Sequence, residues 1–580
     1  MSSFDLDWIL QHPARVLGVL AAAIAGISFA GAGLFGDDTA FLLRYIPSLE
    51  SWAETWDLPP AFRDWFGALH RPLSIASWRL DHILFGEQWA GYHWHQALWY
   101  GALVASFTAL ASEVLLLLGP DLGERRRLRG TWVLGSLFAV HPAHVETAAW
   151  LATRHDVLFA TFLCASLVAT FRCLRNPNPS KALRWAILAG VLGFLSTQAK
   201  ETGFVFFPLV SLICLQVAWR GDLPNKARAL NALWPSAIGL LAGFLLRSSS
   251  GTEAMLSFHP EAFTRWLSAA GWALDFSLLP WGPRLFHPHP PAASGWLALS
   301  LSLVWFVVGW KRRKHDGLSL FGLIFVLLTL APTWMVAFQP LMETLVADRY
   351  LLLPLGGLLL ALGRPLSMPG NRVRSAVFLI GFLWLGISAH YAWAWAGPPQ
   401  ALGLHAARHA PESVEARVGG IARALRTDNL KAAKKIRDMP PKPTPFPGRS
   451  SRLALMDLLI ALEGEEWNQA LAATKVLTKE NPRNPSRWHE QGEVYWSLFL
   501  SKSRENPLGA APKSLLFEAE VALNKAVQLD PRHFRSWLAL GHVWASLGRT
   551  SDAREAFSRV LHYGGSTAEA AEAKKMLKQL

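Results

Sequence analysis

Apolar runs of about 20 residues recur along this chain up to about residue 396 and then stop. A run of that length matches an α-helix crossing the hydrocarbon core of a bilayer, because in lipid every backbone polar group must be satisfied inside the element itself. The pattern therefore predicts an all-α, polytopic membrane domain over residues 1–396. The residues beyond 396 are polar, Lys-rich and helical in pattern, and they divide into a linker and degenerate helical region, 397–450, and a second domain, 451–580. At 52% hydrophobic and 17% charged residues, the chain is too apolar for an ordinary soluble protein of 580 residues.

The net charge of +14 could suggest nucleic acid. Most basic residues of the first part lie instead in short loops between apolar runs, and no nucleic-acid-binding signature accompanies them, so no nucleic-acid partner is expected. Cys164, Cys173 and Cys214 lie in or beside apolar runs without CxxC spacing and read as small buried hydrophobes. The polar N-terminus, with no small-residue cleavage site after its apolar run, favours a retained first helix.

Five basic clusters, 125–129, 172–184, 220–228, 311–314 and 364–374, should be cytoplasmic. One threading with an inside N-terminus satisfies all five. It uses about eleven spans, near 16–35, 96–118, 131–145, 150–171, 185–199, 203–218, 231–247, 295–310, 318–336, 349–363 and 375–396. Residues 260–283 carry Arg265 and Asp275 and read as an amphipathic or re-entrant helix on the outer face.

This threading places the remaining polar groups on the opposite face. They are Asp37 and Asp38, Arg71, His141, His144 and Glu146, Arg154, His155 and Asp156, Lys200 and Glu201, His287 and His289, Glu343, and Asp348 with Arg349. Charges from separate spans gathered at one face, within apolar flanks, point to a shared site. His141, His144 and Glu146 have metal-ligand chemistry, but their spacing is not HExxH. No cofactor is assigned, and a divalent cation is the lesser reading beside a sugar or phosphate site. His287 and His289 flank Pro288 and read as loop residues.

From residue 451 a period near 34 matches tetratricopeptide repeats, helical hairpins that stack into an α-solenoid. The clearest repeat runs from Phe534 with Trp537, Leu540, Gly541, Trp544, Gly548, Ala553 and Phe557. The preceding one has Trp488, Gly492 and Tyr495, an insertion holding Asn506 and Pro507, then Ala519, Ala526 and Pro531. Such a surface suits an extended polypeptide partner, and the threading places it outside the cytoplasm.

Five strings occur in order: GDDTAF at 36–41, RPLSIASWRL at 71–80, HPAHVETAAWLATRHDVLFA at 141–160, AKETG at 199–203 and ADRYLLLP at 347–354, followed by the repeats. With them the chain resembles the transmembrane and tetratricopeptide-repeat O-mannosyltransferases of the GT-C glycosyltransferase superfamily. The resemblance implies a GT-C-like catalytic domain in a multi-pass membrane protein, such as one of the bacterial inner membrane. It implies inverting transfer of mannose or another hexose from a polyprenyl-phosphate carrier to Ser or Thr of a protein acceptor on the extracytoplasmic face. Asp37 and Asp38 match the acidic pair that holds the catalytic carboxylate, and Arg349 matches the Arg that meets the lipid phosphate. Arg71 and Lys200 are further phosphate candidates. His141, His144, Glu146, Arg154, Asp156, Glu201 and Asp348 are candidates for holding substrate. Two alternatives remain at this stage: a membrane scaffold whose repeats recruit envelope proteins, and an enzyme of the same fold acting on a lipid, a polysaccharide or a whole lipid-linked oligosaccharide.

Overall fold

The computed structural model describes residues 6–35, 38, 41–56, 71–220, 223–248, 262–280, 287, 292–312, 317–334, 346–368, 370–397, 401–410, 413–425, 427–439, 449–505, 512–565 and 567–580. Asp37, His289, Glu343, Asn506 and Pro507 lie outside the described residues. The described elements are helices joined by turns. They fall into two compact units: Met1–Leu34 with Leu69–Ser77 and Gln88–Gly397, and Phe35–Ala68 with Trp78–Glu87 and Pro398–Leu580.

In the first unit, seven helices among the described residues are long and apolar enough to cross a membrane: Trp89–Leu118, Leu151–Arg175, Pro179–Ala199, Glu201–Ala218, Ala227–Leu246, Ala293–Lys311 and Asn371–Ala396. Pro13–Phe29 and Gly317–Pro332 are shorter apolar helices. The chain is a multi-pass membrane protein. Two of the predicted runs take other forms. The helix near 131–145 begins earlier, at Glu124, so that it takes in the basic cluster 125–129, and ends at Val140 because His141 precedes a proline and is extended, with φ −68° and ψ 132°. The run at 349–363 opens with a 3-10 turn, Asp348–Leu351, followed by the ten-residue helix Leu352–Ala361. The helix at Ala262–Leu278 buries Ala269, Trp272, Ala273 and Phe276 with Ala143, Leu330, Val346 and Leu351.

Helix pairs approach closely where both carry glycine. A Cβ added to Gly101 of Trp89–Leu118 would lie 2.5 Å from the Gly18 carbonyl oxygen and 2.6 Å from the Ala22 methyl of Pro13–Phe29. Small residues permit such contacts between apolar helices, whose association in lipid depends on packing and not on water exclusion. Gly101→Leu is therefore expected to lower stability by about 1–3 kcal/mol through overpacking. Gly386→Ala, at a helical site with nothing within 4 Å, is expected to leave it unchanged or raise it slightly. Thermal unfolding in detergent compares the two. The helix Asn371–Ala396 keeps Phe378 and Phe382 at 79% and 75% exposure, side chains that only a lipid environment would solvate.

In the second unit the helices Arg449–Glu463, Trp467–Glu480, Pro485–Glu505, Ser514–Leu529, Phe534–Ser546, Thr550–Gly564 and Ala568–Gln579 each pack on the next. Leu540, Trp544, Ala553 and Phe557 are buried in one cluster, and the Phe557 ring fills the space a Cβ at Gly541 would occupy. The indole of Trp488 donates to the Pro482 carbonyl and that of Trp537 to the Pro531 carbonyl, both at 2.7 Å and six residues apart. The same local contact thus occurs at two places in the unit. Gly548, with φ +76°, makes the turn after Phe534–Ser546. The three helices Ala401–His409, Val414–Leu425 and Leu430–Arg437 share a core with Met456 and Ile460.

Also in the second unit, Glu54 accepts from both terminal nitrogens of Arg532 at 3.1 Å, and Tyr45 is fully buried. Asp38 is 1% exposed and accepts from the Phe35 amide at 2.9 Å.

Candidate active site

The candidate residues of the first unit stand at junctions between helices. Pro142 separates Glu124–Val140 from the short helix His144–Ala149, which carries Glu146. A 3-10 turn, Leu151–Thr153, leads into Arg154–Arg175, whose first turn bears Arg154 and Asp156. The Thr153 hydroxyl closes this bend by donating to the Trp150 carbonyl at 2.6 Å. Lys200 is extended, φ −157° and ψ 148°, between Pro179–Ala199 and the 3-10 turn Glu201–Val205. At such breaks side chains leave the helix ends together, so charges from distant parts of the sequence can meet.

Three ion pairs form there. The Arg349 amide donates to Glu146 Oε2 at 3.1 Å and its Nη1 to Glu146 Oε1, so backbone and side chain clamp one carboxylate. Lys200 Nζ lies 2.5 Å from Asp156 Oδ1. Arg71 forks onto Glu201 through Nε at 3.0 Å and Nη2 at 2.7 Å. The Tyr350 ring links the first two pairs, with Lys200 Nζ at 5.7 Å and the Arg349 guanidinium at 5.2 Å from its centroid. Trp150 stands 5.3 Å from the same guanidinium, within cation–π range. Glu146 is fully buried; burial pushes its carboxyl above the ordinary range, and Arg349 opposes that shift.

Arg154 is also fully buried. It donates to Gln96 Oε1 at 2.6 Å, the Ser77 hydroxyl at 3.0 Å and the Tyr92 carbonyl at 2.9 Å. These contacts bind its segment to the helix Trp89–Leu118. His141 accepts from the Ala143 amide at Nδ1, 3.2 Å, and packs edge-on against Trp384, while His144 packs against Phe138. Among the described residues no group of three or more His, Cys, Asp and Glu is arranged to hold a metal ion.

His287 is more than the loop residue expected. It is 6% exposed, receives a hydrogen bond at Nδ1 from the Trp272 indole at 3.1 Å, and lies 2.5 Å from Asp348 Oδ1 through Nε2. Because an indole can only donate, Nδ1 accepts and the ring proton sits on Nε2, aimed at Asp348. Tyr350 and Trp150 are further contributors that charge-based reading passed over, although both lie inside the quoted strings.

Curated proteins are similar to this chain over part of its length. The protein O-mannosyl-transferase TMTC4 of Homo sapiens is 24% identical over 348 residues, covering 49% of this chain and 45% of that protein. TMTC4 of Mus musculus is 26% identical over 221 residues, covering 34% of this chain and 29% of its own, and TMTC2 of Homo sapiens 29% over 135 residues, 23% and 15%. Over these stretches the chain is similar to the TMTC protein O-mannosyl-transferases. No family model matches it, and the matched stretches span less than half the length of these curated relatives. The chain thus combines membrane helices, a set of charge pairs at helix junctions, and a helical second unit.

Proposed function

We propose that this chain is an inverting membrane glycosyltransferase of the GT-C class. In this reading it moves mannose or another hexose from a polyprenyl-phosphate carrier to Ser or Thr of a protein acceptor. Of the observations behind this, the convergence of Arg349, Lys200 and Tyr350 at helix junctions carries most weight, supported by relatives that are protein O-mannosyl-transferases.

Asp37 or Asp38 takes the proton of the acceptor hydroxyl as its oxygen attacks the anomeric carbon. The bond from that carbon to the carrier phosphate oxygen breaks, configuration inverts, and the electron pair leaves with the phosphate. Arg349, Arg71 and Lys200 stabilise the departing charge. Each is held by a carboxylate, Glu146, Glu201 or Asp156, which fixes its place before substrate arrives. A guanidinium has five donors, so an arginine so held can also engage phosphate. His141, His144, Arg154 and Asp348 frame the site. The basic loops are cytoplasmic in this reading. The active face and the tetratricopeptide-repeat solenoid, which grips the acceptor, are then extracytoplasmic, as in a bacterial inner-membrane enzyme. The test is transfer by the purified protein from polyprenyl-phosphate mannose to a Ser/Thr-rich polypeptide; absence of product with every hexose carrier offered would overturn it.

The segment Phe41–Trp56 follows the acidic pair and is tied to the second unit's helices through Glu54 and Arg532. Arg532→Glu is expected to loosen it by about 1.5–3 kcal/mol, the scale of a charge-assisted hydrogen bond. Faster proteolysis within 41–56 would report this, with recovery in the reversed pair E54R/R532E.

A further inference from the structure

At the far end of the helix Arg154–Arg175 lies a second polar site. The helix has 22 residues, so at about 1.5 Å per residue its ends are ~30 Å apart, about the thickness of the hydrocarbon core. There, Glu113, 6% exposed, accepts from Arg172 Nε at 3.0 Å and pairs with Arg175 Nη2 at 3.1 Å. The Arg172 guanidinium also lies 4.9 Å from the Trp185 ring centroid. These four side chains line a cavity of about 710 Å³ with Asn176 and Pro177. That volume falls in the range of small-molecule sites.

One buried carboxylate cannot neutralise two guanidiniums. Glu113 holds Arg172 by Nε, one of the five donors of a guanidinium, and the two arginine side chains are 41% and 38% exposed. Lys181 and Arg184, both exposed, add charge from the first turns of Pro179–Ala199. The same helix continues into an exposed apolar strip, Leu183, Ile187 and Val191 at 38%, 46% and 50% exposure. Their i, i+4, i+8 spacing puts them on one face. A phosphate-complementary pocket at the head of an acyl-complementary strip fits one kind of molecule.

We propose that this pocket binds a single anionic phospholipid, its phosphate on Arg172 and Arg175 and one chain along Leu183, Ile187 and Val191. Placed about one bilayer thickness from Asp156 along the same helix, the site is separate from the proposed donor site. Its occupant belongs to the opposite leaflet. Glu113 acts as the orienting group, fixing both guanidiniums as a fork.

Native mass spectrometry of the delipidated full chain titrated with phosphatidylglycerol or phosphatidylcholine tests this. The wild type is expected to retain phosphatidylglycerol preferentially, and R172Q/R175Q to lose about 30-fold in that retention while holding phosphatidylcholine as before. Should the double variant fail to fold, R175Q alone carries the test, with about a fivefold loss. Millimolar inorganic phosphate is expected not to displace the lipid. Equal retention of the two lipids, retention unaffected by either variant, or displacement by inorganic phosphate would each overturn the proposal, the last by making this a headgroup-only anion site.

Discussion

Arg349→Ala is expected to destabilise the protein by about 3–5 kcal/mol and to abolish sugar transfer. The stability loss follows from Glu146, which is fully buried and takes both the Arg349 amide and its Nη1. Removing the guanidinium strands a carboxylate away from water, and the cost of an uncompensated buried charge exceeds the net worth of the pair. E146Q/R349A removes both charges and should therefore recover most of the stability, because an amide can still accept from the residue 349 amide nitrogen. It should not recover activity if Arg349 carries the phosphate. Arg349→Lys keeps the charge but loses the planar fork, and intermediate behaviour is expected. Thermal unfolding in detergent beside a transfer assay separates the two roles. A double variant as active as the wild type would remove Arg349 from the chemistry.

Asn at Asp37 and Asp38 together is expected to lower the transfer rate by about 10²–10⁴, the usual contribution of a general base. Stability should be kept. Asp38 accepts from the Phe35 amide, and an Asn carbonyl oxygen of the same shape can accept that bond while being unable to take a proton. The single variants D37N and D38N, assayed separately, identify the base as the one whose rate falls by the larger factor. Circular dichroism and unfolding temperature are the controls, and unchanged turnover in the double variant would sink the assignment of the base.

The places of helices were legible because apolar run length and the spacing of small and aromatic residues are local properties. A described helix stands at each predicted run, and Trp488 and Trp537 make the same local contact to a carbonyl six residues back. Helix ends were less legible. Glu124 starts a helix that takes in a whole basic cluster, and the run from 349 opens with a tight turn. Partnership was not legible at all. Arg349 lies 203 residues from Glu146 and Lys200 lies 44 from Asp156. Periodicity states which face a residue occupies, whereas helix packing decides what that face meets. His287 shows the limit: its Pro-rich surroundings signal a loop, and nothing nearby in sequence announces Trp272 or Asp348.

The central claim is that this chain moves a hexose onto proteins. Mass spectrometry of envelope proteins from cells expressing the wild type, cells expressing D37N/D38N and cells lacking the chain tests it most directly. The account predicts at least one protein carrying a hexose on Ser or Thr with the wild type and bare in the other two. Identical glycosylation in all three would contradict it.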